Sequence, residues 1–411
     1  MAGTFSALGL RSFRVLWIST LFSFLAFFMS TTVQSVVAFD LTGTNGSVGS
    51  VVAAQGLAML LLGPIGGAFA DRVRKRRLIA GAQSVTAVVF LLLALSLATG
   101  TIRVEYLALG SLVMGATFAF LGPARQALTI DLVPADGRGN ALALTQVGHS
   151  GSRVLGPTLA GLFLGWQVAG ATGAYLAMAA CYVASVAALL LLPQSVVRPG
   201  ARDRHVFADI AAGLRYVREQ RRLRLLIVFF VSVIMVGYPY VTVLPGLLEH
   251  ALGHDSHDVG TLFGVSALGS LGASLLVARF ADSAHALRIY AGMALLFGAS
   301  LGAVALAPSY LALAVGMFLV GIGSGGFQSL NGAVIVRETE PAFFGRVSSL
   351  TTLAFAGFGL MGLPLGLLAD AIGERGALAA MGAAVCAISL ALASRLGATT
   401  SARPSAPEIA Q

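Results

Sequence analysis

Four polar side chains share one stripe of an otherwise apolar segment. In GNALALTQVGHSGSRVLGPTLAGLFLG, Gln146, His149, Ser150 and Arg153 are spaced i, i+3, i+4 and i+7, which puts them on one face of a helix. An imidazole can exchange a proton near neutral pH, and a guanidinium is a fixed cation that grips anions through several N–H groups. A second apolar segment brings Arg125 and Gln126, with Arg125 at a depth similar to His149. Gln34, Gln55, Tyr238, Tyr240, Gln328 and Asn331 add uncharged polar groups in other apolar segments. Together these side chains would line a cavity for a small molecule, with the aromatics giving adaptable apolar contact. The competing reading is that His149 and Arg153 only satisfy hydrogen bonds between helices. A third group, EHALGHDSHD, carries His250, His254 and His257 beside Glu249, Asp255 and Asp258. Such donors can hold zinc, but a solvated loop with Asp255 or Ser256 capping the next helix is the commoner arrangement, and no metal site is assigned.

No nucleophile–base constellation, nucleotide-binding glycine loop or haem motif is present, so neither an enzyme nor a cofactor is expected. Cys181 and Cys386 lie inside apolar runs and read as small packing residues, without a disulfide framework.

The elements that position these residues must be membrane helices. Of 411 residues, 57% are hydrophobic and only 10% charged, and the mean hydropathy is +0.88. A soluble chain would be about 25% charged. Continuously apolar runs without period-2 alternation require helices, because every backbone polar group must be satisfied inside lipid. Twelve spans are expected, at 13–38, 48–70, 77–99, 104–130, 139–165, 168–192, 224–249, 258–280, 286–307, 309–336, 346–369 and 376–395; each is long enough to cross about 30 Å of hydrocarbon. The first run is too long for the core of a signal peptide. The net charge of +9 sits in short loops, so it reads as topology, and no nucleic-acid partner is expected.

Arginines set the orientation. One side collects Arg11, Arg14, the run Arg72, Arg74, Lys75, Arg76 and Arg77, the connector after the sixth span, and Arg395 and Arg403; the other receives Arg103 and Arg375. Both termini are therefore expected in the cytoplasm. Residues 1–193 and 223–396 form two six-helix bundles, 194–222 a cytoplasmic connector, and 397–411 a disordered tail. Within the connector, Phe207, Ile210, Leu214 and Val217 share one helical face, opposed to Arg215, Arg218 and Glu219, which makes an interfacial amphipathic helix. The two halves repeat: Gly115, Gly139, Leu144, Gly151 and Gly156 recur 206 residues later as Gly321, Gly345, Leu350, Gly357 and Gly362. A parallel repeat of six spans suits a carrier that rocks two bundles about a midplane site.

After the second span comes GAFADRVRKRRL, Gly67 to Leu78. Gly67 permits close helix contact, Asp71 can sit at a helix N-terminus, and the basic run can pair with a carboxylate or with anionic lipid. This segment resembles the signature loop of the major facilitator superfamily. By that resemblance Asp71 meets the start of the eleventh span and Arg72 or Arg76 pairs with Asp131, locking the outward-open state. Arg74 stands where the family usually has Gly. The matching loop VARFADSAHALR keeps Arg279 but has Ala278 where Asp is expected. GPARQALTIDLVPADGRGNALAL and SRVLGPTLAG, within 122–161, together with Gly237 to Pro245, resemble the branch holding siderophore (enterobactin-type) exporters and macrolide efflux proteins. Gly156-Pro157 with Gly161 resembles the fifth-span motif of exporters, although Ser152 and Ala160 replace common glycines. Proline inside a span frees a carbonyl and permits a bend.

Relatives commonly carry a carboxylate midway along the first span, where this chain has Phe27 and Phe28; Asp40 lies near the end of that span. His149 is the one histidine within a span and becomes the candidate proton carrier. The expectation is an all-α secondary transporter of the bacterial cytoplasmic (inner) membrane, with the major facilitator fold. It would work as a monomer and export a drug, siderophore or other amphiphile by proton antiport. Import of a polar or anionic solute, which Arg125 and Arg153 would suit, is the alternative; a non-transporting receptor or assembly factor is a remote one.

Overall fold

The computed structural model describes residues 5–192, 206–280, 283, 285–340 and 343–400. No strand occurs among them. The first half contains α1 (Arg11–Thr42), α2 (Asn45–Arg72), α3 (Lys75–Ala98), α4 (Val104–Leu132), α5 (Arg138–Leu164) and α6 (Gly170–Leu190). After α7 (Val206–Glu219) come α8 (Arg221–Gly237), α9 (Val259–Ala278), α10 (Ala286–Ala305), α11 (Tyr310–Glu338), α12 (Phe344–Ile372) and α13 (Glu374–Thr400). Of the expected disordered tail, 397–400 instead continues α13, and 401–411 lies outside the described residues, as does 193–205 of the connector.

Eleven helical stretches are long and apolar enough to cross a membrane. The remaining long helix, α5, spans 27 residues; its polar stripe dilutes its hydropathy without shortening it. The tight turn from α1 to α2 rests on Gly43, whose φ of 65° ends α1 in the left-handed region, where a side chain would be strained. Beyond Gly237 the span that starts with α8 bends through a 3-10 turn at Tyr238–Thr242 and a π turn at Leu247–Ala251. Pro239 and Pro245 remove backbone donors there, which breaks the regular ladder.

Packing follows the sequence repeat. In the first half α1 packs on α5 and α6, α2 on α4, and α3 on α4 and α6. In the second, α8 packs on α12 and α13, α9 on α11, and α10 on α11 and α13. Gly115 and Gly321 occupy equivalent crossings: a β-carbon would collide with the Gln55 carbonyl in one and the Ser266 carbonyl in the other. Small residues at such crossings let backbones approach where lipid gives no hydrophobic drive. Across the halves, α2 packs on α12 and α5 on α9.

The connector helix α7 docks on the second half, through a face rotated from the expected one. Tyr216 stacks on Phe343 with ring centroids 4.1 Å apart, and its hydroxyl accepts from the Glu340 amide at 3.1 Å. Val217 is buried with Leu223, Ile335 and Val347, whereas Leu214 is 57% exposed. Tyr216 offers both a flat apolar face and a hydroxyl to an otherwise unpaired amide, so it takes the inward position. The side chains of Phe207 and Ile210 lie outside the described residues.

Candidate functional site

Arg125 is a buried charge of the first half. It lies seven residues from the end of α4, about 10 Å at the helical rise. Its side chain is almost wholly buried and donates to Ser23 Oγ of α1, and its Cζ sits 5.1 Å from the centre of the Phe24 ring. Its Nε has no hydrogen-bond partner. The Phe24 ring also meets the His149 ring nearly edge-on at 4.8 Å, and Phe28 meets it at 5.2 Å. One stretch of α1 thus brings the polar groups of α4 and α5 together. Burying a cation costs several kcal/mol, which the charge-assisted hydrogen bond to Ser23 and the cation–π contact with Phe24 offset in part. No carboxylate among the described residues pairs with Arg125.

Arg153, one turn beyond His149, crosses between the halves and donates to Gln328 Oε1 on α11. The Tyr238 hydroxyl donates to the Ser324 carbonyl at 3.0 Å and lies in reach of both Arg153 and Gln328. Tyr240 is buried beside it, within hydrogen-bonding reach of Ser266. Arg125, His149, Arg153, Gln328, Tyr238 and Tyr240 therefore form a connected polar zone about the middle of the molecule.

Two other expected cavity residues, Gln34 and Asn331, have partners inside their own halves. Gln34 is buried between α1 and α4, where Ser111 donates to its Oε1 and its Nε2 points at Met114 Sδ, 3.8 Å away. Asn331 accepts from the Tyr290 hydroxyl at 2.9 Å, inside the second half. Gln126 and Gln146 are exposed and Gln55 is half-buried. Ser23, Phe24 and Ser324 carry contacts that the sequence did not single out. Serine and phenylalanine are ordinary within apolar runs, so no signal marked them.

The fifth-helix motif works by close approach. A β-carbon at Gly156 would lie 2.9 Å from the Met29 amide nitrogen of α1, and one at Gly161 would lie 2.9 Å from the Gly260 α-carbon of α9. Pro157, between them, is buried. The motif thus holds α5 against α1 within one half and against α9 across the halves.

At the arginine-rich face, Lys75 Nζ is 2.7 Å from Asp131 Oδ2, the carboxylate that the resemblance pairs with Arg72 or Arg76. Arg76 donates to the Leu190 carbonyl at 2.8 Å and to that of Leu192, covering acceptors that the end of α6 leaves free. Neighbouring positions on a helix point about 100° apart, so Lys75 and Arg76 reach different helices. The surroundings of Gly67 and the side chains of Asp71 and Arg72 lie outside the described residues, and with them the expected contact of Asp71 with the eleventh span and the expected pairing of Arg72 with Asp131.

The opposite face carries a network that the sequence did not reveal. Asp370, near the end of α12, accepts from the amides of Asn45 and Gly46 at 2.8 and 2.7 Å, the first turn of α2. Asn45 Nδ2 donates to Asp370 and to Glu374, both at 3.0 Å, and His250 Nδ1 lies 2.8 Å from the same Glu374 oxygen. Asp40 accepts from Ser256 Oγ at 2.6 Å and faces His257 Nε2 at 3.3 Å. His250 and His257 of that loop thus bind across elements, while Asp255 caps the turn after it by accepting from the His257 amide at 2.8 Å. Hydrogen bonds join the two halves at Arg153–Gln328 and again at this opposite face.

Residues 16–355 match the family described as Major Facilitator Superfamily. The "Staphyloferrin A transporter" of Staphylococcus aureus (strain NCTC 8325 / PS 47) is 24% identical over 320 residues, 77% of this chain and 79% of that protein. "Multidrug resistance protein 2" of Bacillus subtilis (strain 168) is 23% identical over 232 residues, 55% of each chain. Among solved structures, the nucleoside transporter NupG superposes with a TM-score of 0.75 at 13% identity, covering 93% of this chain and 98% of that one; at that identity the likeness concerns the fold. Twelve membrane helices in repeated halves, a polar zone between them and a family match over most of the chain agree: this protein is a secondary transporter belonging to the Major Facilitator Superfamily.

Proposed function

We propose that this chain exports a small organic molecule, a drug, siderophore or other amphiphile, from the bacterial cytoplasm by alternating access. The arginine-rich face and both termini are cytoplasmic, and 1–193 and 223–396 act as two bundles, each chain working as a monomer. The observation that carries the reading is the placement of the inter-half hydrogen bonds, which run from Arg153–Gln328 to the opposite face. A substrate would enter from the arginine-rich side, reach the polar zone, and leave once the opposite network parts. The Gly156–Pro157–Gly161 contacts support export by their likeness to the exporter motif, and the names of the two relatives support a siderophore or a drug as the cargo. His149 is the proton carrier of an antiport cycle; it abuts Phe24 and Phe28, where an added charge changes the stability of the packed zone. Asp71, together with the pairing of Arg72 or Arg76 with Asp131, belongs to the lock of the outward-open state.

A pump-deficient bacterial strain tests export. Expression of the chain lowers retention of at least one compound from a panel of dyes, antibiotics and siderophores, relative to the Arg153→Ala variant at matched expression. Equal retention across the panel contradicts the proposal.

A further inference from the structure

We infer that the transported molecule is an organic anion whose carboxylate docks on Arg125, with its apolar body along Phe24 and Phe28; this rests on the polar zone being the transport site. The first support is the distribution of charge. The chain has 17 acidic residues, and none falls in 41–70, 72–104, 106–130, 137–202, 220–248, 259–281, 283–337 or 341–369. Every long helix is therefore free of carboxylates through its middle. Arg125, His149 and Arg153 stand in that carboxylate-free belt, two fixed cations and one group able to become a third. Among the described residues no carboxylate is paired with them.

The second support is the state of Arg125. Structural arginines inside membrane helices pair with acids or with backbone carbonyls. Arg125 is 7% exposed, has Ser23 Oγ as its hydrogen-bond acceptor, and keeps Nε unpartnered. A buried donor without an acceptor is costly, and a carboxylate presented to the guanidinium would supply both the acceptor and the charge. Arg153 differs, because Gln328 already accepts from it. Arg125 is therefore the docking cation, and Arg153 joins the substrate's charge to the second half.

The third support is the wall around the cations. Phe24 and Phe28 flank His149, and Phe27 stacks on Phe118 with centroids 4.7 Å apart. The polar partners from the second half, Tyr238, Tyr240 and Gln328, are uncharged. The zone thus joins one cationic pole to an aromatic flank, which fits a carboxylate on an aromatic or amphiphilic frame and disfavours a cation.

Two xanthene dyes of opposite charge test this. Fluorescein carries a free carboxylate, whereas rhodamine 123 is a cation of similar frame with that carboxylate esterified. Binding of each to the purified full-length protein in detergent is followed by fluorescence anisotropy. Fluorescein binds at least about tenfold more tightly than rhodamine 123, and Arg125→Gln removes that advantage while Arg125→Lys keeps part of it. Equal affinity for the two dyes, absence of fluorescein binding, or a folded Arg125→Gln protein that binds fluorescein unchanged overturns the inference. The wild-type comparison decides the matter even if Arg125→Gln does not fold. Binding in detergent is blind to direction, so fluorescein that binds at Arg125 but is never extruded refutes export and leaves the anion site intact. Extrusion of rhodamine 123 without fluorescein binding does the reverse.

Discussion

Asp370 closes one helix over the start of another: its two carboxylate oxygens lie 2.8 and 2.7 Å from the amide nitrogens of Asn45 and Gly46. The first-turn amides of a helix have no partners within it and sit at the positive end of its dipole. A carboxylate placed there holds α2 to α12 only while the two halves meet at this face. Opening toward that side requires breaking both bonds.

Asp370→Ala therefore biases the protein toward opening at this same face. Losing charge-assisted bonds costs about 1.5–3 kcal/mol, roughly a tenfold or greater shift in the conformational equilibrium. Val52 packs against Gly362 beneath this network. In a cysteine-free background, Val52→Cys reacts faster with an impermeant maleimide when Asp370→Ala is present. An unchanged rate shows that the Asp370 contact does not govern opening.

The orientation can be read with the same reagent. His254→Cys reacts in intact cells, whereas His205→Cys reacts only after the membrane is permeabilised. The reverse pattern would invert the topology, since the arginine asymmetry would then point outward.

Packing at the fifth helix gives a stability prediction. Gly161 faces Gly260, with no room for a β-carbon between the backbones. Gly161→Val forces α5 and α9 apart and costs about 1–3 kcal/mol. Thermal unfolding followed by size-exclusion chromatography shows a lower midpoint than wild type, and Gly151→Ala, whose β-carbon meets open space, shows little change. Equal midpoints for wild type and Gly161→Val contradict the close approach.

Much of the fold was legible because crossing lipid demands long apolar runs, and repeated six-span halves leave glycines in register. The stripe on α5 was legible for the same reason: polar residues at helical spacing stand out against an apolar background. Partners across helices were not. Gln34 and Asn331 look alike as lone amides in apolar runs, yet each is engaged inside its own half, with Ser111 and Tyr290. The rotation of each helix decides this, and spacing does not encode it. Asn45 and Asp370 are 325 positions apart, and each alone reads as an ordinary residue at a helix end. The Lys75–Asp131 pair was not legible either, because one step along α3 redirects a side chain toward a different neighbour, Lys75 to α4 and Arg76 to α6.

Proton coupling is tested at His149. With proteoliposomes and a compound selected in the pump-deficient strain, wild type accumulates the compound against its gradient when a pH gradient is imposed. His149→Gln retains binding and downhill exchange but only equilibrates the compound. If the variant still drives uphill movement, the proton is carried by another group.

The central claim is outward transport by a secondary carrier, and membrane sidedness tests it most directly. Everted and right-side-out vesicles are prepared from cells expressing the chain, energised by respiration, and offered fluorescein and rhodamine 123 separately so that charge class is not prejudged. The account predicts accumulation of at least one dye in everted vesicles, abolished by a protonophore and absent with Arg153→Ala. Accumulation confined to right-side-out vesicles, or in neither preparation, would contradict it.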